Sequence, residues 1–156
     1  MGKIRIVPLI LCFLIVILVA FLGSLFTSTG TGTEWYQQIK PSITPPNFVF
    51  PIAWTILFVL IAISLYLVWT NSENKQEKTK VAWVFGINLV LNVLWSLFFF
   101  GLRNPLFGFI EIIFLWLTIW MMIFISWKIN KTGAWFLIPY LLWVSFASIL
   151  NLLAFI

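Results

Sequence analysis

The chain has 156 residues, 63% of them hydrophobic and only 8% charged, with a mean hydropathy of +1.12. Soluble domains carry roughly 25% charged residues, so too few polar side chains exist here to cover a water-facing surface, and no nucleic-acid partner is expected. One cysteine, no histidine and four scattered carboxylates leave neither an intrachain disulfide nor a protein-ligated metal centre nor a cofactor to expect, and the net charge of +5 tells more by its placement than by its sum.

Lys3 and Arg5 precede an apolar run over 6–26 that carries Cys12. Its basic start and the small residues Ala20, Gly23 and Ser24 resemble a signal peptide, but the run is long and lacks a clear cleavage site, so it reads as an uncleaved first span. The polar segment 27–47 opens with Ser, Thr and Gly and then stiffens at Pro41, Pro45 and Pro46, which favour extended backbone before them. Further spans are predicted over 48–70, 81–100, 106–127 and 134–155, joined by short connections, so sequence neighbours pack antiparallel. The fold class is an all-α integral membrane protein, a five-transmembrane-helix bundle forming one membrane domain over 1–156, with 27–47 as a proline-rich lid. No small-xxx-small run is assigned as a contact helix.

Lys3, Arg5, Lys75, Lys78, Lys80, Lys128 and Lys131 fall at one end of this bundle, against Lys40 and Arg103 at the other. Basic residues mark cytoplasmic loops. The expectation is a multi-pass cell-membrane protein with a cytoplasmic N-terminus and with the lid and C-terminus extracellular. Trp35, Trp69, Trp83, Trp127 and Trp135 lie at span ends, where the interfacial belt accounts for them. Trp95, Trp116, Trp120 and Trp143 lie deeper, where lipid anchoring explains less.

In the third span Asn88, Asn92, Trp95 and Phe99 share one face; in the fifth, Pro139, Trp143, Ala147 and Asn151 step by four. In the second, Trp54, Phe58, Ala62, Leu65 and Trp69 form a stripe. An aromatic stripe is commonly plain packing, and a buried asparagine commonly an interhelical hydrogen bond. At about 1.5 Å per residue, however, parts of all three stripes converge in the outer half of the bundle, beneath the lid. Apolar walls with a few amides describe a small-molecule site, and flat aromatic walls suit a flat conjugated ligand. Pro139 is expected to free a carbonyl and kink the fifth helix. Glu111, the one acidic residue within a span, is open to a structural pairing with Arg103 or nearby hydroxyls and amides, or to a functional role.

The segments WYQQIKPSITPPNFVFPIAWTILF (Trp35 to Phe58), LNVLWSLFFFGLRNP (Leu91 to Pro105) and IPYLLWVSFASILN (Ile138 to Asn151) resemble the TspO/MBR family of tryptophan-rich sensory and translocator proteins, as a bacterial member. The resemblance implies a five-helix fold, a homodimer, and a pocket for porphyrins such as protoporphyrin IX and for isoquinoline or benzodiazepine-type synthetic ligands. Carried over by position, the ligand-binding residues are Tyr36, Trp54, Phe58, Asn92, Trp95, Phe99, Trp143, Ala147 and Asn151. Some relatives degrade protoporphyrin IX in light, which makes Trp54 and Trp143 the catalytic candidates. Ile43 stands where the family often has tryptophan after KPS, and the C-terminal Tyr and basic residue of the animal cholesterol motif are missing. The expected function is a receptor or sensor binding a tetrapyrrole. The alternatives are an enzyme for light- and oxygen-dependent porphyrin degradation, and a transporter or interaction protein.

Overall fold

The computed structural model describes residues 4–156; Lys3, counted above at the basic end, lies outside the described residues. The elements are α1 (Ile6–Gly30), α2 (Glu34–Ile39), α3 (Val49–Asn71), α4 (Lys75–Ser96), a π-helical turn (Leu97–Gly101), α5 (Pro105–Ile129), α6 (Lys131–Trp135) and α7 (Ile138–Phe155). Among the described residues five stretches are long and apolar enough to cross a membrane: α1, α3, α4 with its π turn, α5, and α6 with α7. The first and third extend beyond the predicted spans because polar residues continue the helices. Thr27 to Gly30 adds a last turn to α1, and Lys75 to Lys80 adds more than a turn to the start of α4.

Asparagine starts three of these helices. Asn74 Oδ1 accepts the Glu77 amide at 2.9 Å, Asn104 that of Phe107 at 3.0 Å, and Asn130 that of Gly133 at 2.8 Å. Each supplies an acceptor to an otherwise orphaned N–H, which is why the short connections restart so sharply. Pro105 follows its cap directly, where a missing N–H costs nothing. Arg103, just before it, holds a positive φ of 51°, the strained point of this connection.

Pro139 acts differently from expectation. It does not kink a continuous fifth helix; the helix stops at Trp135 and restarts at Ile138, leaving Pro139 in the first turn of α7. A proline is accommodated there without losing a hydrogen bond, so the break falls upstream of it.

α1 packs on α3 and α4, α4 on α5, and α5 on α7. α3 meets the last span mainly through α6 and only sparsely through α7. The bundle is therefore closed at its basic end and open toward the other. The closed end is tight: Ser64 Oγ donates to Gly133 O at 2.8 Å, and a Cβ on Gly133 would lie 2.8 Å from Val68 Cγ2. Above this contact Ile61, Ala62, Ile119, Met122 and Val144 form a fully buried layer.

Candidate functional site

A cavity of about 390 Å³ fills the open end, between α1, α3, α4 and α7. Its roof is the connection between α1 and α3, which is partly helical. Thr33 caps α2, accepting the Tyr36 amide at 3.4 Å, and this turn brings Tyr36 inward until it is buried. Tyr36 packs on Phe100 with ring centroids 5.6 Å apart, and Trp35 meets Phe99 edge-on at 5.9 Å. Trp35 thus clamps the roof to α4's extension, rather than serving only as a span-end anchor. Pro41, Thr44 and Asn47 complete the cover.

The π turn shapes the facing wall. Leu102 N donates to Leu97 O at 2.7 Å, five residues back, which widens the helix. The consecutive residues Phe99 and Phe100 are both buried there, 4.8 Å apart. Trp95 stacks on Phe99 at 5.5 Å and 20°. Across the cavity Trp54 stacks on Phe58 at 5.5 Å and 30°. Two stacked aromatic pairs from separate spans therefore line one chamber.

A chain of amides and hydroxyls fixes the polar lining. Asn88 donates to Thr118 Oγ1 at 2.9 Å and accepts from Tyr140 Oη at 3.2 Å, and Asn92 donates to that hydroxyl at 3.0 Å. Higher up, Trp95 Nε1 donates to Asn151 Oδ1 at 3.0 Å, and Asn151 Nδ2 donates to Pro105 O at 2.8 Å. Unpaired amides in an apolar interior are costly; these are paired, so they join α4, α5 and α7 while Asn92 and Asn151 still border the cavity. Asn88, fully buried, serves the interhelical bond alone.

Of the residues singled out from sequence, Tyr36, Trp54, Phe58, Asn92, Trp95, Phe99, Ala147 and Asn151 line the cavity, and Trp143 does not. Trp143 stands one ring further out, edge-on to Phe50 at 5.8 Å, and it is Phe50 that reaches the chamber. Its indole N–H is buried without a partner. The stripe on α7 placed it correctly along the helix, but Phe50, at the start of α3, intervenes.

Sequence reasoning also missed the face of α1. Ala20, Gly23, Ser24 and Thr27 line the cavity, and a Cβ on Gly23 would lie 3.5 Å from Ser96 Oγ. Their spacing of three and four among large aliphatics is a small-residue stripe of the kind that marks close helix approach; it was present to be read. Ser24, Ser28 and Pro51 border the cavity yet remain exposed, so the chamber opens sideways between α1 and α3.

Glu111 is 5% exposed, and neither carboxyl oxygen has a hydrogen-bond partner. The expected pairing with Arg103 or a nearby hydroxyl or amide does not form. The group lies outside the cavity lining, within electrostatic reach of Tyr140. Among the other deep tryptophans, Trp116 Nε1 donates to Ser145 Oγ at 2.8 Å, tying α5 to α7, whereas Trp120 faces outward. Among the described residues no cluster of His, Cys, Asp and Glu is suited to a metal.

Five apolar helices around a roofed chamber of indoles, phenyls and amides define a multi-pass membrane protein with an internal cavity. The chain belongs to the TspO/MBR family, whose model matches residues 12–156. It is 38% identical to the tryptophan-rich protein TspO of Chlorobaculum tepidum, over 94% of this chain and 93% of that protein. It is 41% identical to the tryptophan-rich protein TspO of Archaeoglobus fulgidus, over 94% of each. It is 30% identical to the human translocator protein, over 84% of this chain and 78% of that one.

Proposed function

We propose that the protein is a receptor or sensor that binds a porphyrin, protoporphyrin IX or a close relative, beneath the roof formed by residues 34–47. The observation carrying this reading is the pair of aromatic stacks, Trp54–Phe58 and Trp95–Phe99, that line one chamber. A conjugated macrocycle stacks on such faces, and its apolar surface leaves lipid or water on entry. Asn92 and Asn151 offer oriented polar groups to its rim. The side opening between α1 and α3 gives an apolar ligand access from the bilayer. Isoquinoline and benzodiazepine-type ligands are smaller probes of the same space. The basic end is assigned to the cytoplasm and the roof to the exterior, on the lysine and arginine asymmetry. The protein is expected to work as a homodimer.

Titration of purified protein with protoporphyrin IX, followed by tryptophan quenching, tests the assignment. Ala147→Phe fills the chamber and Asn92→Ala removes a rim amide; both are expected to weaken binding at least tenfold. Trp120→Phe, on the outer surface, leaves it unchanged. Equal affinity in all three variants removes the site.

A second reading, light- and oxygen-dependent porphyrin degradation, is favoured by the placement of Trp54 in the wall, where an indole can give an electron to a photoexcited ring. Trp143 joins such chemistry only as a relay behind Phe50. Sustained illumination that destroys several equivalents per protein, faster than in detergent alone and lost in Trp54→Phe, supports this reading. Bleaching that stops after one equivalent eliminates it.

A further inference from the structure

The basic end of the bundle carries a second depression, distinct from the roofed cavity. It is an open groove of about 530 Å³ between the last turn of α3 and the first turns of α4, lined by Trp69, Lys75, Lys78, Thr79, Ala82 and Trp83. Lys75, Lys78, Thr79 and Ala82 follow the three-and-four spacing of one helix face. Ala82 gives the groove a shallow floor, and Trp69 and Trp83 flank it from different helices. Trp83 is 67% exposed, an apolar ring left open where the span begins.

Among the described residues neither Lys75 nor Lys78 is in an ion pair. Glu77, between them in sequence, is engaged at the helix start: its Oε2 accepts the Glu73 amide at 2.9 Å. Two other lysines at this end are placed differently. Lys128 Nζ lies over the Phe124 ring at 4.2 Å, and Lys131 Nζ near the Trp127 ring at 6.0 Å.

We propose that this groove seats one anionic phospholipid of the leaflet at the basic end. Its phosphate meets the Lys75 and Lys78 ammonium groups, and an acyl chain runs over Ala82 between the two indoles. Charge complementarity selects an anionic head group over a zwitterionic one. The apolar flanks select a lipid over a soluble phosphate, because a free anion gains nothing from Trp69 and Trp83. The reading is independent of the porphyrin assignment.

The test is native mass spectrometry of the detergent-purified protein, titrated with phosphatidylglycerol, with phosphatidylcholine of the same chains, and with glycerophosphoglycerol. A saturable one-lipid adduct per chain is expected with phosphatidylglycerol, roughly tenfold tighter than with phosphatidylcholine. Lys75→Gln with Lys78→Gln lowers its affinity roughly tenfold. Ala82→Leu lowers it without changing any charge, and Lys128→Gln with Lys131→Gln leaves it intact. Of the substituted groove side chains, Lys75 and Ala82 are exposed and Lys78 is half-buried, so the substitutions spare the packed core. The proposal is overturned if the Lys128 and Lys131 pair matters as much as Lys75 and Lys78, since that is general surface attraction. It is equally overturned if Ala82→Leu has no effect, or if glycerophosphoglycerol competes as well as the intact lipid.

Discussion

The Trp95 indole nitrogen donates to Asn151 Oδ1 across 3.0 Å, so the ring that forms one cavity wall is held by the amide that forms part of another. Asn151 is 1% exposed and spends its own N–H on the Pro105 carbonyl at 2.8 Å. One side chain on α7 therefore sets the position of α4's ring and of α5's first turn together.

Replacing this amide tests the arrangement. Asn151→Leu leaves the indole N–H without an acceptor and takes the side-chain donor from the Pro105 carbonyl, and is expected to cost about 1–3 kcal/mol. Combined with Trp95→Phe in a double-mutant cycle, monitored by unfolding in detergent, it should show a coupling of about 1 kcal/mol. Strict additivity would mean that the bond contributes nothing.

Tyr140→Phe removes a single oxygen that serves both Asn88 and Asn92. The ring still fills its fully buried place, so the expected loss of about 1–2 kcal/mol is the cost of two amides left short of a partner. Asn92 gains freedom at the cavity edge, and protoporphyrin affinity should shift with it. An unchanged midpoint in thermal unfolding would show that the amides find other partners.

Gly30 lies beneath the roof, where an added Cβ would come 2.6 Å from Phe100 Cδ1. Gly30→Ala must displace Phe100 and with it Tyr36, at an expected cost of about 1–3 kcal/mol. Gly86→Ala is the control: nothing lies within 4 Å of its Cβ, and a helical alanine should be neutral or gain about 0.5–1 kcal/mol. The thermal midpoint of Gly30→Ala should fall, while that of Gly86→Ala holds or rises.

The roof should also respond to alkali. Burial raises the Tyr36 phenol above its ordinary value of 10.0. The docked roof therefore keeps its proton to higher pH than the undocked one. Docking is undiminished below about pH 10 and weakens as pH rises beyond it. Hydrogen exchange across residues 34–47 should accelerate as pH rises above about 10, beyond the intrinsic base-catalysed rise. Tyr36→Phe should abolish that excess.

Glu111→Leu should stabilise the protein. Both oxygens of this buried carboxyl lack partners, and relieving such a mismatch is expected to gain about 1–3 kcal/mol. A stability loss would reveal a partner formed only in the membrane. A gain accompanied by weaker ligand binding would show that the mismatch is retained for function.

The five spans were legible because composition and apolar run length dominate in a membrane. The convergence of Trp54, Trp95 and Asn151 was legible from helical spacing and depth. What escaped depended on relationships that spacing does not encode. Whether Trp143 or Phe50 reaches the chamber depends on how α3 enters against α7, a tertiary matter. The π turn needs one residue more than an α turn, and nothing in LFFFG announces it. The continuation of α1 through Thr27 to Gly30 was hidden because Ser, Thr and Gly read as loop outside an apolar context. The small face of α1 was visible but went unread beside the aromatic stripes.

The Ser64–Gly133 contact has a consequence for traffic. With α3 wedged against α6, the chamber is a cul-de-sac: on the proposed reading, a guest departs by the doorway it used to arrive. Passage to the opposite leaflet would require prising that seam apart, so under that reading residence time would be set by the roof and the gap beside it.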